Sequence, residues 1–229
     1  MNSAHLRNSE RVQRVITYVD SQPGEFPEES KAASLCSQLK QEQAKLGELD
    51  VVRSSSMSKR RQATAARQTA HKLLLTLLGR VIDTAEVAAA ERADVKGMFG
   101  RPQRNASDQT LVADARSIAE KAATLVGLFT ENGLPATFVN DMRSYADSIE
   151  HAMQNQTEAV GESVRANNEI AEVIRRMNGL VERLDVIVRN KYRDDPAKLA
   201  AWESARRLER PPRSNRNSGN NAPPPAPQQ

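Results

Sequence analysis

The sequence predicts an all-α protein: an up-and-down four-helix bundle with two N-terminal helices, a short C-terminal helix and a disordered tail. Three observations predict it. Apolar residues recur at alternating gaps of three and four along four long stretches, the period of one helix face. Aromatic residues number eight in 229 (four Phe, three Tyr, one Trp), and β-branched runs are short, which disfavours a β-sandwich. Turn residues separate the stretches, Asn132-Gly133-Leu134-Pro135 most clearly.

The elements follow in order. Residues 4–21 place Val12, Val15, Ile16 and Val19 on one helix face, and Pro23-Gly24 and Pro27 end that helix. Residues 28–52 carry Ala32, Leu35, Leu39, Leu46 and Leu49. Ser54-Ser55-Ser56-Met57-Ser58-Lys59-Arg60-Arg61 reads as a linker by composition, or as the polar middle of one helix over 28–92; both readings stay open. The first bundle helix, 63–92, bears Ala70, Leu74, Leu77, Val81, Ala85 and Ala88, and 93–107, with Gly97, Gly100 and Pro102, reads as a loop. Ser107-Asp108 offers an N-cap to a helix over 108–131 with Leu111, Ala115, Ile118, Ala122, Leu125 and Phe129. Gly133 suits a left-handed C′ position and Pro135 the entry to the next helix, 136–158, with Phe138, Met142, Tyr145, Ile149 and Ala152. Gly161 marks a further turn, and 161–191 carries Ile170, Val173, Met177, Leu180, Leu184 and Ile187. Asp194-Asp195-Pro196 caps a short helix with Leu199, Trp202, Ala205 and Leu208. The expected division is a helical pair and linker over 1–62, the bundle over 63–191, a clamp helix within 192–209 and a basic, Pro-rich disordered tail over 210–229.

Composition excludes several classes. Cys36 is the single cysteine, so no disulfide framework is available. The longest apolar run, Leu73-Leu74-Leu75-Thr76-Leu77-Leu78, is far short of the ~18 residues a membrane span needs. The first residues lack the apolar core of a secretory signal. The expectation is a cytoplasmic chain without membrane attachment. Its net charge is +4, from 33 basic and 29 acidic residues, but residues 105–160 hold three basic against eight acidic groups, and 196–229 hold six against two.

Catalytic chemistry finds little to work with. The histidines are His5, His71 and His151, and none follows a Glu by three residues, as a di-iron bundle requires. Asp147 and His151 share a helix face beside Glu150, but two ligands fall short of a stable metal site, so a surface Asp–His pair is the reading preferred. Cys36 lies beside Leu35 on an apolar face, where a buried inert thiol is expected. Gly97-Met98-Phe99-Gly100-Arg101 lacks the strand and the Lys-Ser/Thr of a phosphate loop. No enzyme activity, cofactor or metal is therefore expected.

Binding has better candidates. Arg206, Arg207, Arg210, Arg213 and Arg216 crowd into eleven residues, and Lys59-Arg60-Arg61 form a second basic cluster. Such groups can neutralise phosphates or an acidic partner, although a solubilising tail is the simpler reading and stacking aromatics are missing. Trp202 is either the packing anchor of the last helix or a partner-facing hot spot. The expected role is a non-enzymatic helical interaction or structural protein with a protein partner or self-association; the alternative is nucleic-acid or acidic-partner binding through the tail.

Residues 188–210, from Val188-Arg-Asn-Lys-Tyr through Leu199-Ala-Ala-Trp202 to Arg210, together with Ser107-Asp-Gln-Thr-Leu111 and Gly133-Leu-Pro135, resemble a set of bacterial all-helical proteins with no assigned activity. The resemblance spans roughly residues 63–211 and implies a bacterial, all-helical chain without transferring any functional residue.

Overall fold

The computed structural model describes residues 3–103 and 105–209. Among them every regular element is helical: α1 (Ser3–Asp20), α2 (Lys31–Ala88), a 3-10 turn (Ala93–Val95), α3 (Asp108–Ala123), α4 (Val126–Glu131), α5 (Phe138–Lys191) and α6 (Pro196–Arg206).

Of the two readings open for Ser54–Arg61 the helical one holds and the linker does not: Lys31–Ala88 is one helix of 58 residues. No Gly or Pro occurs between Gly47 and Gly79, and Ser56 turns its hydroxyl onto Val52 O, 2.9 Å away, one turn back. Serine costs only about 0.5 kcal/mol against alanine in a helix, which the following Arg and Ala residues readily offset. The turn expected at 158–162 is also absent, because α5 runs unbroken for 54 residues. A lone glycine there costs about 1 kcal/mol, too little to break a helix flanked by Glu158, Ala159, Glu162 and Ala166. Conversely, the helix expected over 108–131 divides. Thr124 bonds its hydroxyl to Lys121 O at 2.8 Å, and Leu125 leaves helical geometry at φ −125° before α4 resumes. The four consecutive bundle helices are therefore not formed as drawn from the sequence.

The caps follow expectation. Ser107 Oγ accepts from Thr110 N at 3.2 Å and starts α3. Asp195 Oδ1 accepts from Lys198 N at 3.1 Å, ahead of Pro196 in the first turn of α6. Gly133, at φ +87°, closes α4 in a Schellman motif: Gly133 N donates to Thr130 O and Leu134 N to Phe129 O, each at 3.0 Å.

Contacts divide the chain into two units, one of residues 1–48 and 170–229, the other of residues 49–169, with boundaries inside both long helices rather than at 62/63 and 191/192. In the first unit Val12, Val15, Ile16 and Val19 of α1, Leu35 and Leu39 of α2, and Val173, Met177 and Leu184 of α5 are all buried. Trp202, fully buried, brings α6 onto α1 through a ring contact with Tyr18 at 5.4 Å. Phe26 meets Tyr192 edge-on at 6.0 Å.

In the second unit a contiguous core joins Leu74, Leu78, Val81 and Ile82 of α2 to Leu111, Val112, Ile118 and Ala119 of α3 and to Phe138, Met142 and Ile149 of α5. Residues 93–107 contribute to it, since Val95 and Phe99 are buried and Phe99 stands edge-on to Phe129 at 5.5 Å. The stretch of α2 before this core is different. From 51 to 69 its buried residues are Ser56 and Ala63, and the ladder continues at Ala70. On α5 the buried residues from 150 to 169 are Ala152, Ala159 and Ala166. Each set repeats every seven residues, one small buried side chain per two turns, the spacing of a helix–helix seam. Bonds from Ser56 and Lys59 to Glu162, and from Arg67 to Gln156, set the two helices antiparallel.

Candidate functional site

The arginines at the α1–α6 contact form the more concentrated of the two sites the structure offers. Arg7, Arg11 and Arg14 fall at spacings of four and three on α1, which places them along one face. Arg11 Nη2 donates to Asn178 Oδ1 of α5. Arg14 donates to Arg207 O at 2.6 Å, to Ala205 O at 3.4 Å and to Glu209 Oε1 at 3.2 Å, so it holds the end of α6. Arg206 lies 3.2 Å from Asp185 Oδ1, a carboxylate that also accepts from Arg189 and from the Trp202 indole. Burial lowers the pKa of Arg11, Glu182 opposes the shift, and Arg14 and Arg206 add to it, so these guanidiniums lie within one another's fields. One of the sequence candidates, Arg206, thus comes near two α1 arginines, Arg11 and Arg14, that the sequence reading did not single out, and Arg207 contributes its backbone carbonyl to Arg14. Their helical spacing was a visible signal, but the intervening Val12, Val15 and Ile16 drew the reading to the apolar face. Arg210, Arg213 and Arg216 lie outside the described residues.

The second site is a groove of about 570 Å³ between α2 and α5, floored by Ala63, Ala66, Ala152 and Ala159. Its walls include Lys59, His151, Glu158 and Glu162. Hydrogen bonds from Lys59 first, and then from Ser56, hold the Glu162 carboxyl below the usual range. Lys59 is spent on this pair at 3.1 Å, whereas Arg60 and Arg61 are exposed without an ion pair among the described residues. The Lys59-Arg60-Arg61 cluster is thereby split. His151 lines the groove, but Asp147 and Glu150 turn to Arg116 at 2.8 and 2.7 Å, so no metal pair assembles around it. Val51, Val52, Met57, Val160 and Val164 are exposed on the same two helix stretches.

Trp202 has no exposed surface and donates to Asp185 Oδ1 at 2.7 Å, which makes it the packing anchor of α6. Burial pushes the Cys36 thiol up to about 11, so it is a poor nucleophile at neutral pH. Among the described residues no group of three or more His, Cys, Asp or Glu could hold a metal ion. None of the described helices is long and apolar enough to cross a membrane. The chain matches no family model, no curated protein and no solved structure.

Proposed function

We propose that the chain is a non-enzymatic helical interaction protein, working in the bacterial cytoplasm, that docks a protein partner along the paired stretches of α2 and α5 in the second unit. One observation carries this reading. Along these stretches each helix buries one small residue per heptad, while Val51, Val52, Met57, Val160 and Val164 are exposed. Scattered single apolar residues are ordinary, but five on two adjoining stretches with little else buried supply a surface for further helices. The lone buried Cys36 suits a reducing compartment.

Photo-crosslinking residues placed at positions 57 and 160, with position 91 as control, test it in native cells. Discrete adducts, including adducts to another copy, at 57 and 160 but not at 91 support the reading. The same weak labelling at all three positions contradicts it.

A second reading, electrostatic binding of nucleic acid, is favoured by the closeness of Arg11, Arg14 and Arg206 just before the basic tail. Its support is charge placement, and the stacking aromatics of many single-strand binders do not accompany it.

A further inference from the structure

We infer that the outward face of α2 between residues 61 and 80 is a track for the phosphate backbone of a nucleic-acid duplex. The inference gives the second reading a surface of its own, away from the tail, and rests on that reading.

Charge on this stretch is one-sided. Between Asp50 and Asp83 the sequence holds seven Lys and Arg and no Asp or Glu, in a chain whose basic and acidic residues number 33 and 29. The neighbouring carboxylates reach only part of it. Asp50 pairs with Arg53, Glu162 with Lys59, and Asp108 with Arg67 and His71. Asp83 and Glu86, at the far end, both turn to Arg101. Arg60, Arg61, Lys72 and Arg80 are left exposed without an ion pair among the described residues.

Helix geometry gathers three of these bases onto one strip. Arg61, Ala65, Gln68, Lys72, Thr76 and Arg80 follow one another at gaps of three and four, and all six are exposed. The buried Ala63, Ala70, Leu74, Leu78 and Val81 take the opposite side of the helix. At a rise of about 1.5 Å per residue, Arg61 and Lys72 stand about 17 Å apart along the axis and Lys72 and Arg80 about 12 Å apart, so each meets a different phosphate. Each phosphate neutralised releases counterions, which is the source of the affinity. The make-up of the strip narrows the anion. It carries no large apolar or aromatic side chain, so it lacks the anchor of a protein hot spot, the apolar face that seats a helix in a membrane surface, and the rings on which a single strand stacks. A duplex needs none of these, because it offers a stiff, regular row of phosphates.

The test uses the full chain and a fluorescein-labelled duplex of about 20 base pairs, read by anisotropy from about 50 to 200 mM salt. Arg61→Gln, Lys72→Gln and Arg80→Gln together should weaken binding about tenfold or more near 100 mM salt and lower the salt slope by about three. Arg61→Lys with Arg80→Lys keeps the charge and should bind as the unaltered chain does. An unchanged helical circular dichroism signal and urea midpoint check that each variant is folded. Wild-type affinity in the triple variant, with loss on Arg210→Gln and Arg213→Gln, overturns the track while sparing the electrostatic reading. Failure of the unaltered chain to bind the duplex at about 50 mM salt overturns both. Tighter binding to a single strand of the same sequence, or to vesicles of phosphatidylcholine and phosphatidylglycerol, overturns the assignment to a duplex.

Discussion

Trp202 donates its indole N–H to Asp185 Oδ1 at 2.7 Å, and this bond fixes α6 to α5 from a fully buried ring. Asp185 also holds Arg189 at 3.0 Å and Arg206 at 3.2 Å, so one carboxylate serves three donors. Truncating Trp202 to Ala removes the ring and the bond together and should cost about 3–5 kcal/mol. Asp185→Ala strands a buried N–H and frees two guanidiniums, at about 2–3 kcal/mol. Urea unfolding followed by circular dichroism checks both; a change under 1 kcal/mol in either would show that α6 is fastened by something else.

The seven-residue ladder makes a size prediction. Ala159→Leu and Ala63→Leu force a large side chain into the α2–α5 contact and should each cost about 1–3 kcal/mol. Ala65→Leu, at an exposed position that does not line the groove, should change stability by less than about 0.5 kcal/mol. Equal effects at positions 63 and 65 would mean that the ladder is not the contact.

Gly161 tests helix continuity by a gain. A methyl group there would meet only Arg165 Nη2, at 3.8 Å, and the backbone is helical. Gly161→Ala should therefore raise stability by up to about 1 kcal/mol. A loss would indicate a turn.

Alkaline pH should destabilise the first unit. Burial raises the Cys36 thiol from 9.0 to about 11, with Asp20 adding to it, and raises the Tyr192 hydroxyl to about 12, with Glu25 adding to it. Both groups bind their protons more tightly when folded. The stability they add is whole below pH 9 and is lost as pH rises through the folded values. For Cys36 alone the slope approaches about 1.4 kcal/mol per pH unit between pH 9 and 11. Cys36→Ala should flatten unfolding free energy in that window, and an unchanged slope would show that the thiol does not contribute.

Local chemistry was legible in the sequence and long-range economy was not. Ser107, Gly133 and Asp195 announced their caps because a cap is settled within three or four residues. The apolar stripes through Leu111 and Val173 were readable for the same reason. Ser54–Arg61 left linker and helix undecided and Gly161 misled, since serines and a glycine weaken a helix by amounts that a partner helix overrides. The signal that could have found the pairing was present at Ser56, Ala63 and Ala70 and at Ala152, Ala159 and Ala166, a repeat of seven in small rather than large residues. Arg206 was singled out from its neighbours in sequence, but only the antiparallel packing of α1 and α6, shown by Tyr18 on Lys198 and Arg14 on Arg207, brings it to Arg11 and Arg14.

The proposed docking surface exists only if α5 is unbroken through residue 161, and a distance within that helix decides it. Spin labels at His151 and Glu169, in a Cys36→Ala background, lie eighteen residues apart on exposed positions. A continuous helix separates their backbones by about 27 Å, so double electron–electron resonance should give one distribution near that value. A hairpin at 158–162 would bring the two positions to about 10 Å, and a distance that short would contradict the paired α2–α5 stretch and the function drawn from it.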